Sequence, residues 1–284
     1  MNYGSMISEI NFLCTKYAFL GVNGIGKSIL DREIPCIDLG QGDKFIFYVG
    51  AQCGCDHMQS DILIRFVREY CSMCESRSSI YGVPLEYIFK KYTLRVIPML
   101  NPDGVEYCCL GVTPDNPIRD RVKTMNNKNE DFSSWRANAR GVDLRHNYST
   151  GYVEYKNKNF NDNIYGGAPS EYCGESAESE PETGSLCNLL RFSVGTSALV
   201  EFCGGNNKIT YFASEMSRRM AKLVGEYTGF AIKERNESEC ELYSWSEREV
   251  GIPSFRVESD LQNCSPFEIY VKLRRMLFCL PTLV

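Results

Sequence analysis

Apolar residues follow two different periodicities along the chain, and the two kinds of segment alternate. Short apolar runs of strand character recur at residues 34–40, 44–52, 92–100, 198–203 and 253–259. Longer segments with helical periodicity lie between or beside them, at residues 6–17, 58–76, 178–194, 210–228 and 267–278. The first pattern is typical of buried strands and the second of amphipathic helices. Strands that alternate with helices predict an α/β domain whose sheet is covered by helices on both faces.

One long segment, residues 102–170, departs from both patterns. It is rich in Asn, Asp, Gly and Tyr and has little regular periodicity. Long loops of this kind in a compact domain usually carry function. The chain has no visible internal repeat and no linker rich in Pro, Gly or Ser, so nothing in the pattern divides its 284 residues.

Residues 21–28, GVNGIGKS, match the G-x-x-x-x-G-K-[ST] template of phosphate-binding loops. That loop works between a strand and a helix, because amides at the helix N-terminus hold the phosphates. Here Pro35 follows seven residues after Ser28, and the intervening segment alternates like a strand. We therefore predict a hairpin connection and no nucleotide site.

Composition and charge narrow the classes of partner. Hydrophobic residues make up 43% of the chain and charged residues 24%, the formal net charge is -5, and no block of basic residues occurs. A nucleic-acid or anionic-membrane partner is therefore not expected. The N-terminal residues lack the features of a secretory signal, and no apolar run approaches the length of a membrane span. We expect a cytoplasmic protein.

The chain has fourteen cysteines but only two histidines, His57 and His146. In a chain of this size without an export signal, most cysteines are expected to be reduced core residues. Cys71 and Cys74 form a C-x-x-C, but they fall inside a helical pattern without a second such pair. We therefore expect them to be structural.

Four segments, taken in order, resemble the zinc metallocarboxypeptidase (carboxypeptidase A) family. They are VIPMLNPDGVEY (96–107), WRANARGVDLRHNY (135–148), ESEPET (178–183) and the spacing from Trp245 to Glu258 that ends in GIPSFRVES. The second and third segments are most similar to bacterial γ-D-glutamyl-diaminopimelate peptidases of that family. The resemblance covers roughly residues 15–280 and implies one domain over residues 1–284. Its expected fold is α/β, with a mixed, mostly eight-stranded sheet and helices on both faces.

The resemblance also assigns the metal positions. The family holds zinc with H-x-x-E after an early strand and a second His on a later one, and leaves a position open for water. In this chain the H-x-x-E positions fall on Cys53 and Asp56, and the last ligand position falls on Cys203. The implied zinc site is therefore Cys53, Asp56 and Cys203, and all three depart from the usual residues.

The remaining positions are better matched. Glu258 stands where the family has its general base, and Arg136 where it has the arginine that stabilises the oxyanion. In the segment that binds the substrate carboxylate, Arg145 and His146 replace Asn-Arg or Asn-His. Arg145 still offers a cation for a carboxylate.

Three interpretations stay open at this point. A Cys53–Asp56–Cys203 zinc site supports hydrolysis of short peptides, including cell-wall muropeptides, although three anionic ligands would weaken the acidity of bound water. Alternatively, the chain is a pseudoenzyme that binds a peptide or a partner. In the third, Cys53 and Cys203 form a disulfide or redox pair, which requires Cα atoms within about 7 Å.

Overall fold

The computed structural model describes residues 1–212, 214–236 and 240–284. Ten strands occur in this part of the chain. They are β1 (Gly21–Lys27), β2 (Glu33–Gly40), β3 (Lys44–Val49), β4 (Ser79–Ile80), β5 (Val83–Pro84), β6 (Tyr92–Ile97), β7 (Thr196–Gly204), β8 (Lys208–Phe212), β9 (Ala231–Arg235) and β10 (Ser254–Ser259). Eight of them form one mixed sheet in the order β1-β2-β6-β3-β7-β10-β8-β9, and β4 pairs with β5 alone. The predicted α/β fold with an eight-stranded mixed sheet is confirmed.

Helices connect and cover these strands. They are α1 (Tyr3–Lys16), α2 (His57–Glu75), α3 (Leu85–Lys91), α4 (Pro102–Leu110), α5 (Arg119–Met125), α6 (Tyr152–Asn161), α7 (Pro181–Phe192), α8 (Glu215–Thr228), α9 (Leu242–Glu249) and α10 (Pro266–Cys279). Short 3-10 turns span Gly54–Asp56, Leu144–His146 and Leu280–Thr282. Among the described helices, none combines the length and the apolar character that crossing a membrane requires.

The strands at the centre of the sheet are buried on both faces. Side chains alternate along β3, so that Ile46 and Tyr48 pack into the larger core with α1, α2, α8 and α10. Phe47 and Val49 point the other way and pack with residues of α7 and α9. Because successive side chains of a strand point to opposite faces, a continuous apolar run is what a strand between two helical layers requires.

The phosphate-loop match has no phosphate-loop structure. Most of it is strand β1, which pairs antiparallel with β2, and the connection itself is the turn at residues 28–32. A hairpin is therefore present, but GVNGIGK is its first strand and not the connection between the strands. Gly26 is there for packing: a Cβ at this position would lie 2.0 Å from Ser185 Oγ of α7.

Two features of the secondary structure differ from the sequence prediction. The helix predicted at residues 210–228 begins only at Glu215, because residues 208–212 form β8 and the Ser214 side chain caps α8 by accepting from Ser217 N. The segment 102–170 contains α4, α5 and α6. Its first helix carries a recognisable start, since Asn101 caps it and Pro102 occupies its first turn.

Candidate functional site

The residues predicted to bind metal and to act as base lie at the carboxyl ends of three neighbouring strands. Cys53 and Asp56 lie between β3 and α2, while Cys203 is near the end of β7. In the parallel pairing of β7 with β10, Cys203 is directly opposite Glu258. Strands β3, β7 and β10 run parallel, so their ends meet at one edge, where open α/β sheets bind ligands.

Cys53 is held by an arginine and an aspartate. Its sulfur accepts a hydrogen bond from Arg136 Nη2 at 3.2 Å and lies 3.7 Å from Asp143 Oδ1. Arg136 Nε also donates to Asp143 Oδ2 at 3.1 Å. Burial opposes ionisation of Asp143, but the Arg136 guanidinium holds the pKa of that carboxyl well below its usual value. Burial, followed by the charge of Asp143, raises the pKa of the Cys53 thiol.

Asp56 and Cys203 are close to one another in a second part of the site. Asp56 Oδ1 accepts from Gly204 N at 3.1 Å, whereas Asp56 Oδ2 is buried without a hydrogen-bond partner. The carbonyl oxygen of Cys203 accepts from Gln59 Nε2 at 2.7 Å. Burial raises the pKa of both the Asp56 carboxyl and the Cys203 thiol.

The zinc that the family implies can be tested against this arrangement. Cys53, Asp56 and Cys203 are not among the described groups of three donors whose ligand atoms lie within 4.8 Å of one another. Zinc binds cysteine as the thiolate, whereas burial and the charge of Asp143 raise the pKa of the Cys53 thiol. The unpartnered Asp56 oxygen favours an ion, but the donor set as a whole fits zinc poorly. The three-residue metal site stays a prediction.

Each cysteine of the chain, Cys53 and Cys203 included, is a free thiol in the structure. The third interpretation, a disulfide or redox pair of Cys53 and Cys203, therefore stays a prediction.

A different group does bring three ligand atoms within 4.8 Å, and it consists of Asp143, His146 and Glu171. Both carboxylates of this group already have partners. Asp143 forms an ion pair with Arg136. Glu171 Oε2 accepts from Tyr155 OH at 2.5 Å and from Lys158 Nζ at 3.1 Å. The His146 ring stacks on Tyr155 with centroids 4.1 Å apart, and burial lowers the pKa of its imidazole. A metal at this group would have to displace two cations.

Glu258, the predicted base, is paired with a cation. Its Oε2 lies 3.1 Å from Lys208 Nζ, and its Oε1 lies 3.5 Å from Thr210 Oγ1. Gly205 approaches so closely that a Cβ there would lie 2.6 Å from Glu258 Oε2. The carboxylate that the resemblance implies as the general base is thus engaged in an ion pair.

A cavity of about 530 Å³ opens beside these residues. Charged side chains dominate its lining, and those that matter below are Arg145, Lys208, Glu241, Arg256 and Glu258. His146 also lines it. The two residues predicted to bind substrate, Arg145 and His146, therefore lie in one cavity with the predicted base.

Arg256 is a charged residue of this cavity that the sequence analysis did not single out. It is 3% exposed, lies on the central strand β10, and pairs with Glu201 at 3.2 Å and with Glu241 at 2.7 Å. Its guanidinium also lies 4.9 Å from the ring centroid of Tyr243. The available signal was an arginine among the strand residues PSFRVES, because charged residues are seldom fully buried unless they are paired.

The network continues through Glu201 into the interior. Gln52 Nε2 donates to Glu201 Oε1 at 2.8 Å, and Gln52 Oε1 accepts from Tyr148 OH at 2.5 Å. All three of these residues are buried. Polar contacts at the cavity floor therefore join the segment after β3 to β7 and β10.

The ESEPET segment has a structural role at the start of α7. Asn138 Nδ2 donates to Glu180 Oε2 at 2.8 Å and to Glu182 Oε2 at 3.3 Å. Glu182 is fully buried. Burial, together with the nearby charges of Asp103 and Glu180, raises the pKa of Glu182 to about 8.

Glu182→Gln is expected to remove a pH dependence of stability. The folded chain retains a proton on Glu182 up to a pKa of about 8, while the ordinary value is 4.5. Between these two values the folded state binds more protons than the unfolded state, so wild-type stability falls as pH rises. Urea unfolding at pH 5 and pH 8 should show that the free energy of unfolding falls less between these two pH values in Glu182→Gln than in wild type. The exposed control Glu86→Gln should behave as wild type, and an unchanged slope in Glu182→Gln would contradict the assignment.

Comparisons with known proteins agree with this architecture. The chain is 26% identical over 262 residues to gamma-D-glutamyl-L-diamino acid endopeptidase 1 of Lysinibacillus sphaericus, covering 90% of this chain and 65% of that protein. It is also 26% identical over 187 residues to the uncharacterized protein YqgT of Bacillus subtilis (strain 168), covering 64% and 48%. The chain thus spans less than two thirds of the length of either relative.

Solved structures share the fold. Bovine thrombin-activatable fibrinolysis inhibitor, in complex with tick carboxypeptidase inhibitor, superimposes with a TM-score of 0.73 at 16% identity, covering 100% of this chain and 95% of that one. Murein-tripeptide amidase MpaA of Escherichia coli O157 gives a TM-score of 0.57 at 18% identity, covering 92% and 91%. The sequence profile described as zinc carboxypeptidase matches residues 8–243. The chain belongs to the zinc carboxypeptidase family.

Proposed function

We propose that the chain binds short peptides through a carboxylate in the cavity beside Arg145, and that it does not hydrolyse them with zinc. One observation carries the proposal: Cys53, at the first ligand position of the family, is engaged by Arg136 and Asp143 instead of facing two further donors. The pairing of Glu258 with Lys208 supports it, because the base position is also neutralised.

The ligand class follows from the cavity and from the relatives. Cationic side chains line the cavity, and a guanidinium recognises a carboxylate with directional hydrogen bonds. The names of two similar proteins refer to gamma-D-glutamyl-L-diamino acid and murein-tripeptide substrates. Short peptides of this kind, including muropeptides, are therefore the proposed ligands.

A hydrolase is the second candidate function. In it, zinc lies at Cys53, Asp56 and Cys203, Glu258 is the base and Arg136 supports the oxyanion. The buried and unpartnered Oδ2 of Asp56 favours this candidate. The contacts of Cys53 with Arg136 and Asp143, and of Glu258 with Lys208, argue against this candidate.

Elemental analysis with a binding measurement separates the two. After zinc supplementation and dialysis, the purified chain is expected to retain less than about 0.1 equivalent of zinc, because its donors are engaged in other contacts. Calorimetry should detect binding of γ-D-glutamyl-L-lysine, and the amide derivative in which both of its carboxylates are neutralised should bind more weakly. Chromatography of the incubated peptide should show no cleavage.

The opposite pattern would establish the hydrolase. Stoichiometric zinc that is lost in Cys203→Ala, together with peptide cleavage that is lost in Glu258→Gln, would overturn the proposal. Each substitution removes one residue of the second candidate and leaves Arg145 in place.

A further inference from the structure

Glu241 bridges two guanidinium groups on the floor of the cavity. Its Oε1 accepts from Arg145 Nη2 at 3.1 Å, and its Oε2 lies 2.7 Å from Arg256 Nη2. One carboxylate thus contacts two arginines, one through each oxygen. This is the geometry in which a carboxylate ligand would be clamped from two sides.

The guanidinium groups have donor capacity left over. The Nε atoms of Arg145 and Arg256 are buried without a hydrogen-bond partner. Arg256 Nη2 lies 2.7 Å from Glu241 Oε2 and 3.2 Å from Glu201 Oε1, so this nitrogen is paired with both carboxylates. Buried polar groups are nearly always satisfied, and each exception points to a missing partner. Both arginines line the cavity, so a ligand bound there can supply the missing hydrogen-bond acceptor.

We propose that Arg145 and Arg256 form a two-guanidinium clamp for a ligand carboxylate, and that Glu241 occupies this clamp until the ligand replaces it. The inference rests on the proposed peptide-binding function and adds Arg256 as a binding residue and Glu241 as an internal competitor.

The exchange conserves charge at the clamp. Before binding, Glu241 faces the two arginines; afterwards the ligand carboxylate does, while Arg256 keeps its contact with Glu201. Arg145 would otherwise lose the carboxylate with which it pairs, and a buried charge without a partner is strongly disfavoured. The ligand is therefore required to carry a carboxylate, and a neutral amide cannot take its place.

The displaced side chain has another favourable position. Glu241 is the residue that precedes α9 (Leu242–Glu249), and its side chain makes no capping hydrogen bond to that helix. Negative side chains are stabilised at helix N-termini, where backbone amides lack partners. Rotation of the Glu241 side chain toward α9 releases the clamp without requiring the sheet to move.

Calorimetric titration with γ-D-glutamyl-L-lysine and with the amide derivative in which both of its carboxylates are neutralised tests the clamp. In Glu241→Gln the free peptide should bind about tenfold more tightly, because a neutral amide competes less well for guanidinium groups. In Arg256→Lys, which keeps the charge but loses the planar fork, it should bind at least about tenfold more weakly. The amide should bind weakly to every variant. Glu9→Gln and Arg68→Gln, which alter a salt bridge between α1 and α2, are the matched controls.

The outcomes separate this inference from the proposed function. If wild type binds the free peptide in preference to the amide, but Glu241→Gln and Arg256→Lys bind it like wild type, the clamp is wrong and the proposed function stands. If neither wild type nor Glu241→Gln binds the free peptide, both fail. Thermal unfolding of each variant verifies folding, and the isosteric Glu241→Gln keeps the test decisive should Arg256→Lys unfold.

Discussion

Asp103→Ala is expected to lower the free energy of unfolding by about 2–4 kcal/mol. Asp103, in the NPDG motif, is fully buried and accepts from Ser28 Oγ at 2.8 Å, Leu30 N at 2.9 Å and Arg32 Nη1 at 2.5 Å. These contacts tie the turn between β1 and β2 to α4. Alanine would leave a hydroxyl, an amide and a cation without their acceptor at once.

Urea unfolding measures this loss, and a nearby carboxylate supplies the control. Asp31 pairs with Lys27 at 3.0 Å, but its side chain is 80% exposed. Exposed ion pairs contribute little, so Asp31→Asn, which keeps a residue suited to the positive φ at this position, should change stability by less than about 0.5 kcal/mol. If the two variants lose stability equally, burial of Asp103 is not what makes its contacts strong.

The variant that carries Cys53→His, Asp56→Glu and Cys203→His together is expected to hold about one equivalent of zinc after dialysis. Two histidines and a glutamate are the donor set that the family uses. Histidine and glutamate reach farther from the backbone than cysteine and aspartate, so their donor atoms can meet where the present ones do not. A neutral imidazole also binds without losing a proton, whereas burial holds the thiol pKa high.

Elemental analysis of the triple variant and of wild type measures the bound zinc. Adding Glu258→Gln to it should leave the zinc content unchanged, because Glu258 is not one of the ligands. A folded triple variant that retains no zinc would show that the three exchanged residues are not what prevents binding. In that case Arg136 beside position 53 would be the next residue to replace.

These expectations rest on the proposed peptide-binding function, in which guanidinium groups provide the cationic centre that the family resemblance assigns to a metal ion. In this chain Arg136 contacts Cys53, Arg145 contacts Glu241, and Arg256 contacts Glu201 and Glu241. Guanidinium groups are permanently charged and bind carboxylates, so they suit a site that recognises a peptide without transforming it.

Much of the scaffold could be predicted from local pattern. The five apolar runs became β2, β3, β6, β7 and β10, and four of the five helical patterns lie within about three residues of the observed helices. Strands β8 and β9, at one side of the sheet, were missed. Residues of the edge strand β9 are mostly exposed and charged, as in AIKER. Residues 210–212 of the neighbouring β8 were taken as the start of a helix. Edge strands lack the two-sided burial that makes a strand visible in sequence.

The sequence by itself determined the family, the alternation of strands and helices, and the exchange of histidines for cysteines, because motifs and periodicity are local properties. Only the tertiary structure decided what the exchanged residues contact. The clamp is made by Arg145, Glu241 and Arg256, which are up to 111 positions apart and meet through the order of strands in the sheet. Whether a buried charge is paired depends on such distant neighbours, so local pattern identified Arg145 but neither Arg256 nor the carboxylate between them.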